Sequence, residues 1–130
     1  LYRGRDDSIT ASVHHRDINR DDHEIITLRH AGAWAAEQGI ESIDIIKLDV
    51  EGCEVEVLEA LEPLLGTVKV LYVEYDSRQA RRRIDDLLRS THELFFAMFL
   101  ALDQGEEIYL RADLADHPEA GGIVEALFKG

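Results

Sequence analysis

The chain has 130 residues and a formal net charge of −13, because 27 Asp and Glu residues outnumber 14 Lys and Arg residues. This length is typical of one domain with a buried core. The acidic excess argues against a nucleic-acid or anionic-membrane partner, whose phosphates would be repelled. The longest apolar run, residues 94–102, is far shorter than the roughly 20 residues that a membrane span requires, and no signal peptide is recognisable. The sequence therefore predicts a soluble, cytoplasmic protein.

The N-terminal third of the chain predicts a short β-ribbon followed by a helix. Residues 8–13 alternate apolar and polar side chains, which is typical of a half-exposed strand, and residues 24–28 form a second short strand that pairs with it most easily as an antiparallel ribbon. The alanine-rich residues 30–38 predict a helix, with Gly39 as its C-terminal cap. Trp34 is favoured as the core anchor of this helix, and stacking on a ligand ring is the alternative.

A strand, an acidic turn and a helix follow one another in the centre of the chain. Residues 43–48 are apolar and rich in β-branched side chains, which predicts a buried strand. Asp49, Glu51 and Gly52 come directly after it. Beyond Gly52 the apolar residues recur at helical spacing, which predicts an amphipathic helix with an exposed glutamate face. That face comprises Glu54, Glu56, Glu59 and Glu62.

The next strand also ends in acidic residues. Residues 68–73 are apolar, and Glu74, Tyr75 and Asp76 come after them. Residues 51–67 are long enough for the crossover that a parallel pairing needs. The two strands would then bring four carboxylates to one edge of the sheet, where they repel one another unless some face away, stay protonated or share a cation. Ligands of open α/β sheets bind beyond the carboxyl ends of the strands, so this edge is the first candidate site.

The last third of the chain predicts a helix and a hairpin. Ser77 is a candidate N-cap for a helix over residues 78–90. The helix carries the main basic cluster of the sequence, Arg78, Arg81, Arg82, Arg83 and Arg89. Arg82 is spaced for pairing with Asp85 or Asp86 on the helix surface, so such pairing is favoured for the cluster, and binding a phosphate or sulfate is the alternative. Residues 92–102 and 106–112 predict an antiparallel hairpin, and residues 117–129 predict a short helix.

The stretch from Ile43 to Leu58 resembles the signature of FkbM-type methyltransferases, roughly "ID-apolar-apolar-K-apolar-DVEG-x-E". The strand that ends in Glu74 resembles the next strand of that family. The resemblance implies an S-adenosylmethionine-dependent O-methyltransferase of class I that transfers a methyl group to a hydroxyl of a sugar or natural product. It also implies a Rossmann-like α/β sheet that is closed by an antiparallel hairpin.

One departure from the family is large. The glycine-rich turn and the acidic residue that bind the cofactor belong to earlier strands of the family's fold, and this chain contains neither. We therefore expect residues 1–130 to form a single but incomplete α/β domain. It would be the C-terminal half of a class I sheet, with two parallel strands, a C-terminal antiparallel hairpin and a short N-terminal β-ribbon. The cofactor-binding residues are expected upstream of Leu1, and the isolated chain is expected to be inactive.

The resemblance and the residues together suggest roles at the carboxylate edge. Asp49 and Glu51 are the candidate catalytic residues, one of them acting as the general base that removes the proton of the acceptor hydroxyl. A divalent cation held by Asp49, Glu51 and Glu74 is the less favoured alternative, by analogy with catechol-type O-methyltransferases. A third reading is that Asp49 and Glu51 only bind backbone N–H groups at the start of the next helix. The candidate substrate-binding residues are Lys47, Glu74, Tyr75 and Asp76.

Two classes of function stay open. The first is an O-methyltransferase with a small-molecule or glycan acceptor, of which this chain is the C-terminal part. The second is a non-catalytic remnant or assembly module of the same fold that binds a partner rather than the cofactor. In either case residues 43–49 would form an exposed apolar edge, which predicts self-association or coverage by a partner.

Overall fold

The computed structural model describes residues 2–3, 11–12 and 27–120. Two short strands, β1 (Tyr2–Arg3) and β2 (Ala11–Ser12), pair as an antiparallel ribbon. The other elements are, in chain order, α1 (Ala31–Glu37), β3 (Ile45–Leu48), α2 (Glu54–Ala60), α3 (Glu62–Leu65), β4 (Val70–Tyr75), α4 (Arg78–Leu88), β5 (His92–Phe99), β6 (Gly105–Arg111) and α5 (Ala112–Ala115). This mixture of helices and strands is the α/β organisation that the sequence predicts.

The strands β3 to β6 form a four-stranded sheet in the order β3-β4-β6-β5. β3 and β4 are parallel, with Ile45 opposite Val70, whereas β6 lies between β4 and β5 and is antiparallel to both. The predicted parallel pair and C-terminal hairpin are therefore confirmed. The carboxyl ends of β3, β4 and β5 all reach one edge of the sheet, and β6 begins there.

One face of the sheet packs on the helices. Residues of β4 alternate strictly, so that Leu71, Val73 and Tyr75 are buried while the residues between them face the other side. The buried side chains join Leu58 of α2 and Ile84 of α4 in the main hydrophobic cluster. Because strand side chains alternate between faces, β4 divides the molecule into a core side and an open side.

Helix boundaries follow local chemistry that the sequence contains. Gly39 comes just after α1 with φ +67°, the left-handed conformation of a C-terminal cap. Ser77 caps α4, since its hydroxyl accepts a hydrogen bond from the Ala80 amide at 3.1 Å. Pro63 lies in the first turn of α3, and the helix predicted after Gly52 is broken there into α2 and α3 because proline cannot continue a helix from the preceding turn.

The predicted partner of the N-terminal strand is wrong in the part that is described. β2 lies inside the predicted strand 8–13, but it pairs with Tyr2–Arg3. Residues 24–26 of the predicted partner lie outside the described residues, and Thr27 and Leu28 are not in a strand. The predicted tail helix also falls mostly outside them, since only residues 117–120 of it are described. The one-turn helix α5 was not predicted.

Trp34 is not a core anchor, because 44% of its surface is exposed. The buried residue of α1 is Ala35, and Gly32 faces α2 so closely that a β-carbon at Gly32 would stand 2.2 Å from the Ala60 carbonyl oxygen. Two helices that approach through small residues leave no space between them for an indole ring. The close approach at Gly32 therefore places Trp34 outside the core.

We expect Gly32→Ala to destabilise the chain by about 1–3 kcal/mol, the usual cost of forcing an extra carbon into a packed contact. The Ala60 carbonyl is backbone and cannot rotate away. The free energy of unfolding from chemical denaturation measures the effect.

Gly66→Ala is the matched control, because Gly66 has φ −61° and no atom within 4 Å of its would-be β-carbon. Alanine there should leave stability unchanged or raise it by about 0.4–1 kcal/mol through the unfolded state. Equal effects of the two substitutions would contradict the close contact between α1 and α2.

Candidate functional site

The turn between β3 and α2 has an unusual backbone. Glu51 has φ +55° and Gly52 has φ +101°, so two consecutive residues occupy the left-handed side of conformational space. Glycine adopts this conformation readily, whereas a residue with a β-carbon is strained in it by about 1–3 kcal/mol. A turn of this kind persists only where its surroundings hold it.

Glu54 holds the turn. This first residue of α2 is 3% exposed, and its carboxylate accepts hydrogen bonds from the backbone N–H groups of Val50 at 3.0 Å and Gly52 at 3.1 Å. A carboxylate is favoured here because it accepts hydrogen bonds from backbone amides of the turn and lies at the start of a helix. Glu54 therefore connects the strand end to the helix start.

The predicted position of Glu54 on the exposed face of α2 is wrong. Glu56 and Glu59 are exposed as predicted, but Glu54 is turned under the strand end. The role considered for Asp49 and Glu51, binding the backbone N–H groups of this turn, is filled by Glu54. An acidic side chain in the first helical turn was the available signal.

We expect Glu54→Gln to destabilise the chain by about 1.5–3 kcal/mol, the range for hydrogen bonds to a charged group. The amide can offer only its carbonyl oxygen to the two N–H donors, and its NH₂ group would face one of them. Chemical denaturation of Glu54→Gln beside Glu56→Gln, an exposed neighbour with the same charge change, measures the difference. Similar losses in both variants would contradict the bracing role.

Beyond this turn, three carboxylates from three strands form a row on the open face, here called the acidic row: Asp49, Glu74 and Glu106. Glu74 lies opposite Glu106 in the register of β4 and β6. Leu48 lies opposite Val73, so Asp49, the next residue, comes beside Glu74. Of the four carboxylates predicted to crowd this edge, Asp49 and Glu74 lie side by side, and Glu106 is a member that the sequence did not indicate.

Glu74, in the middle of the acidic row, has a raised pKa. Burial raises the pKa of its carboxyl above the ordinary value of 4.5, and the negative charges of Asp49, Glu51 and Glu106 raise it further. Asp49 also interacts with Glu74 by hydrogen bonding. A protonated Glu74 can donate that hydrogen bond, whereas two ionised carboxylates would repel each other.

Lys47 and Tyr72 complete the open face of this site. The Lys47 ammonium lies 3.9 Å from Asp49 Oδ2 and 5.6 Å from the centre of the Tyr72 ring. Burial and hydrogen bonding to Glu106 raise the pKa of the Tyr72 hydroxyl, which therefore stays protonated. Tyr72 was not predicted as a site residue, although strand alternation places it on the same face as Glu74.

Of the other two predicted substrate-binding residues, Tyr75 lies on the opposite face of the sheet and Asp76 follows the carboxyl end of β4. Tyr75 alternates onto the core face and is buried, so the structure does not bring it together with the acidic row. Asp76 follows β4 and is half-buried. No three His, Cys, Asp or Glu side chains within residues 27–120 are arranged to hold a metal ion. Asp49, Glu51 and Glu74 are thus placed as separate carboxylates rather than as one ligand set.

The free energy of unfolding should depend on pH because the pKa of Glu74 is raised in the folded state. Its carboxyl binds a proton more tightly in the folded state, so its contribution to stability is fully present below pH 4.5 and is lost as the pH rises through the folded-state pKa. We therefore expect Glu74→Gln to become more stable relative to the wild type between pH 4.5 and pH 7.5. Chemical denaturation at both pH values measures this change.

Glu93→Gln is the control, since Glu93 is exposed on β5 away from the acidic row. The difference in the free energy of unfolding between Glu93→Gln and the wild type should change less with pH. If the difference in the free energy of unfolding between Glu74→Gln and the wild type does not depend on pH, the neighbouring carboxylates do not raise the pKa of Glu74.

The fold and this site define an α/β protein whose candidate site lies at the carboxyl ends of parallel strands. The sequence pattern described as the Methyltransferase FkbM domain matches residues 2–108. The chain therefore belongs to the FkbM methyltransferase family.

A relative, the 2-O-methyltransferase NoeI of Sinorhizobium fredii, is 33% identical over 54 residues, which cover 42% of this chain and 22% of the relative. The match thus spans about a fifth of the length of that protein. No solved structure matches the chain. Among the helices of the described residues, none has the length and apolar character needed to cross a membrane.

Proposed function

We propose that this chain is part of an S-adenosylmethionine-dependent O-methyltransferase with a class I, Rossmann-like fold. The observation that carries the proposal is the acidic row at the carboxyl ends of β3 and β4 in a chain of the FkbM methyltransferase family. The name of the relative NoeI describes methyl transfer to a 2-hydroxyl, which supports a hydroxyl group as acceptor. The acceptor is accordingly a small molecule or a glycan.

Asp49 is the proposed general base. Its side chain is partly exposed (45%), so an acceptor can reach it, and the Lys47 ammonium lies 3.9 Å from its Oδ2. S-adenosylmethionine, when bound, supplies an electrophilic methyl carbon. Asp49 would take the proton that the acceptor hydroxyl loses on methylation. The turn that Glu54 holds by hydrogen bonds positions Asp49 and Glu51.

Glu74 and Lys47 are proposed to orient the acceptor. A protonated Glu74 donates one hydrogen bond and accepts another, which suits a hydroxyl-rich acceptor, and Lys47 is a further donor. Glu51 and Asp76 border the same edge of the sheet and are proposed to line it. Tyr72, with its protonated hydroxyl, is the added member of this set.

S-adenosylmethionine is part of the proposal, although no described residue is assigned to it, whereas a divalent cation is not. Residues 1–130 contain no glycine-rich turn of the dinucleotide-binding kind, so we assign no described residue to S-adenosylmethionine and propose that its contacts come from outside this chain. A divalent cation is not part of the proposal, because the described carboxylates do not form a ligand set.

The edge of β3 supports the proposal that this domain is incomplete. β3 lies at the end of the strand order, and Ile45 is 69% exposed while Val50 is 38% exposed. An unpaired apolar edge invites pairing with another strand. We propose that a strand from elsewhere in the complete protein, or from a second copy, covers it.

In the full-length protein we expect Asp49→Asn to lower turnover by roughly 10²–10⁴-fold, the range for a lost general base, with cofactor affinity nearly unchanged. Methyl transfer to a panel of glycan and small-molecule hydroxyl acceptors measures turnover, and calorimetry with S-adenosylmethionine measures affinity. Asp44→Asn is the control, because Asp44 is exposed and pairs with Lys69 at 2.7 Å rather than with the site.

Three results would contradict these assignments. Loss of folding in Asp49→Asn without a separate kinetic defect would make the carboxylate structural. Loss of activity on chelation, restored by magnesium, would favour a cation at Asp49 and Glu51 over a general base. A full-length protein that neither binds the cofactor nor transfers methyl groups would favour the alternative, an assembly module of the same fold.

A further inference from the structure

A groove of about 510 Å³ lies between the first turn of α4 and the loop of the β5–β6 hairpin. Arg78, Arg81 and Arg82 line one side, and residues 99–102 line the other. This volume is in the range of sites for small organic ligands. It is called the arginine groove below, and it is separate from the acidic row, which faces the open side of the sheet.

The arginines of α4 divide into two groups. Arg81, Arg83 and Arg89 form ion pairs with Glu107, Glu59 and Asp86. Only Arg89, which follows the last residue of α4, pairs with a neighbour on the helix surface. The predicted pair of Arg82 with Asp85 or Asp86 is not among the ion pairs of the described residues. Arg78 and Arg82 have no carboxylate within 4 Å among the described residues, and both face the groove. In a chain of charge −13, two arginines at one groove that form no ion pair with any described residue are unusual.

The paired arginine fixes the shape of the groove. Arg81 Nε donates to Glu107 Oε1 at 2.7 Å, and this fully buried carboxylate also accepts from the Tyr109 hydroxyl at 2.8 Å. The Arg81 guanidinium lies 5.2 Å from the centre of the Phe99 ring. Arg78 Nε donates to the Leu102 carbonyl at 3.3 Å, which connects the helix to the hairpin loop.

The other side of the groove is apolar and exposed. Phe99, Leu100 and Leu102 are 61%, 59% and 83% exposed. Exposure of these three large apolar side chains to water is unfavourable, and a ligand that covered them would gain binding free energy. The groove therefore joins a cationic end to an apolar wall.

We propose that the arginine groove binds an organic phosphate whose phosphate group lies between Arg78 and Arg82 and whose apolar part covers Phe99, Leu100 and Leu102. Arginine is suited to the phosphate because its guanidinium donates two parallel hydrogen bonds to it. An acidic peptide or a purely apolar ligand would use only one side of the groove. A phosphate with an alkyl chain uses both.

Calorimetry of the full-length protein with octyl phosphate, below its micelle concentration, tests the proposal. We expect one site per chain, with binding at least about tenfold tighter than that of inorganic phosphate or octanol, because each of these lacks one half of the recognised ligand. Equal affinity for inorganic phosphate would mean an anion site only, and equal affinity for octanol an apolar patch only. Either result, or the absence of binding, would overturn the proposal.

Matched variants locate the site. Arg82→Gln and Leu102→Ser are each expected to weaken octyl phosphate binding about tenfold, the effect of one lost charge-assisted hydrogen bond or one uncovered apolar side chain. Arg89→Gln on the same helix and Leu94→Ser on β5 make the same chemical changes outside the groove and should leave the affinity unchanged. All four residues are exposed, so the variants should fold. Equal losses in all four would place the ligand elsewhere.

Discussion

The candidate site depends on one buried carboxylate, that of Glu54. This carboxylate accepts hydrogen bonds from the N–H groups of Val50 and Gly52. It thereby holds a turn in which Glu51 has a left-handed backbone. Burying a carboxylate is unfavourable unless it is hydrogen-bonded, and here the backbone supplies the donors. These hydrogen bonds hold the turn from which Asp49 and Glu51 leave the strand, and Asp49 also lies 3.9 Å from the Lys47 ammonium.

Strand register then turns three separate residues into one electrostatic unit. Parallel pairing of β3 with β4 brings Asp49 beside Glu74, and antiparallel pairing with β6 brings Glu106 to the other side. Asp49 has the Lys47 ammonium nearby, whereas Glu74 stands between carboxylates and has a raised pKa. A carboxyl group with a raised pKa beside a second carboxylate is an arrangement from which acid and base roles arise.

Local patterns in the sequence were enough for much of this fold. β-branched runs and the change of period after Gly52 predicted β3, α2 and β4, and Ser77 predicted the start of α4 because its hydroxyl needs only the third residue of the helix as a partner. These features depend on residues close in sequence. The carboxylate edge was predictable for the same reason, since parallel strands bring their ends together whatever their side chains are.

The features that were missed depend on contacts distant in sequence or on backbone conformation. Glu106 joins the acidic row only because β6, rather than β5, lies next to β4, and a hairpin pattern does not state which of its strands is inner. Trp34 is exposed because Gly32 meets α2, which helix composition does not show. Glu54 is buried because of the left-handed turn before it, which periodicity alone does not reveal.

Strand β4 also explains how acidic and basic groups coexist at one edge of the sheet. Its alternation sends Tyr72 and Glu74 to the open face and Tyr75 to the core, where Arg81 packs near the Tyr75 ring and pairs with Glu107. Glu107 is fully buried and would be strongly destabilising without a cation, so Arg81 is committed to the fold. Arg78 and Arg82, in contrast, form no ion pair with any described residue. Their charges remain available on the helix side of the sheet, and the acidic row occupies the other side.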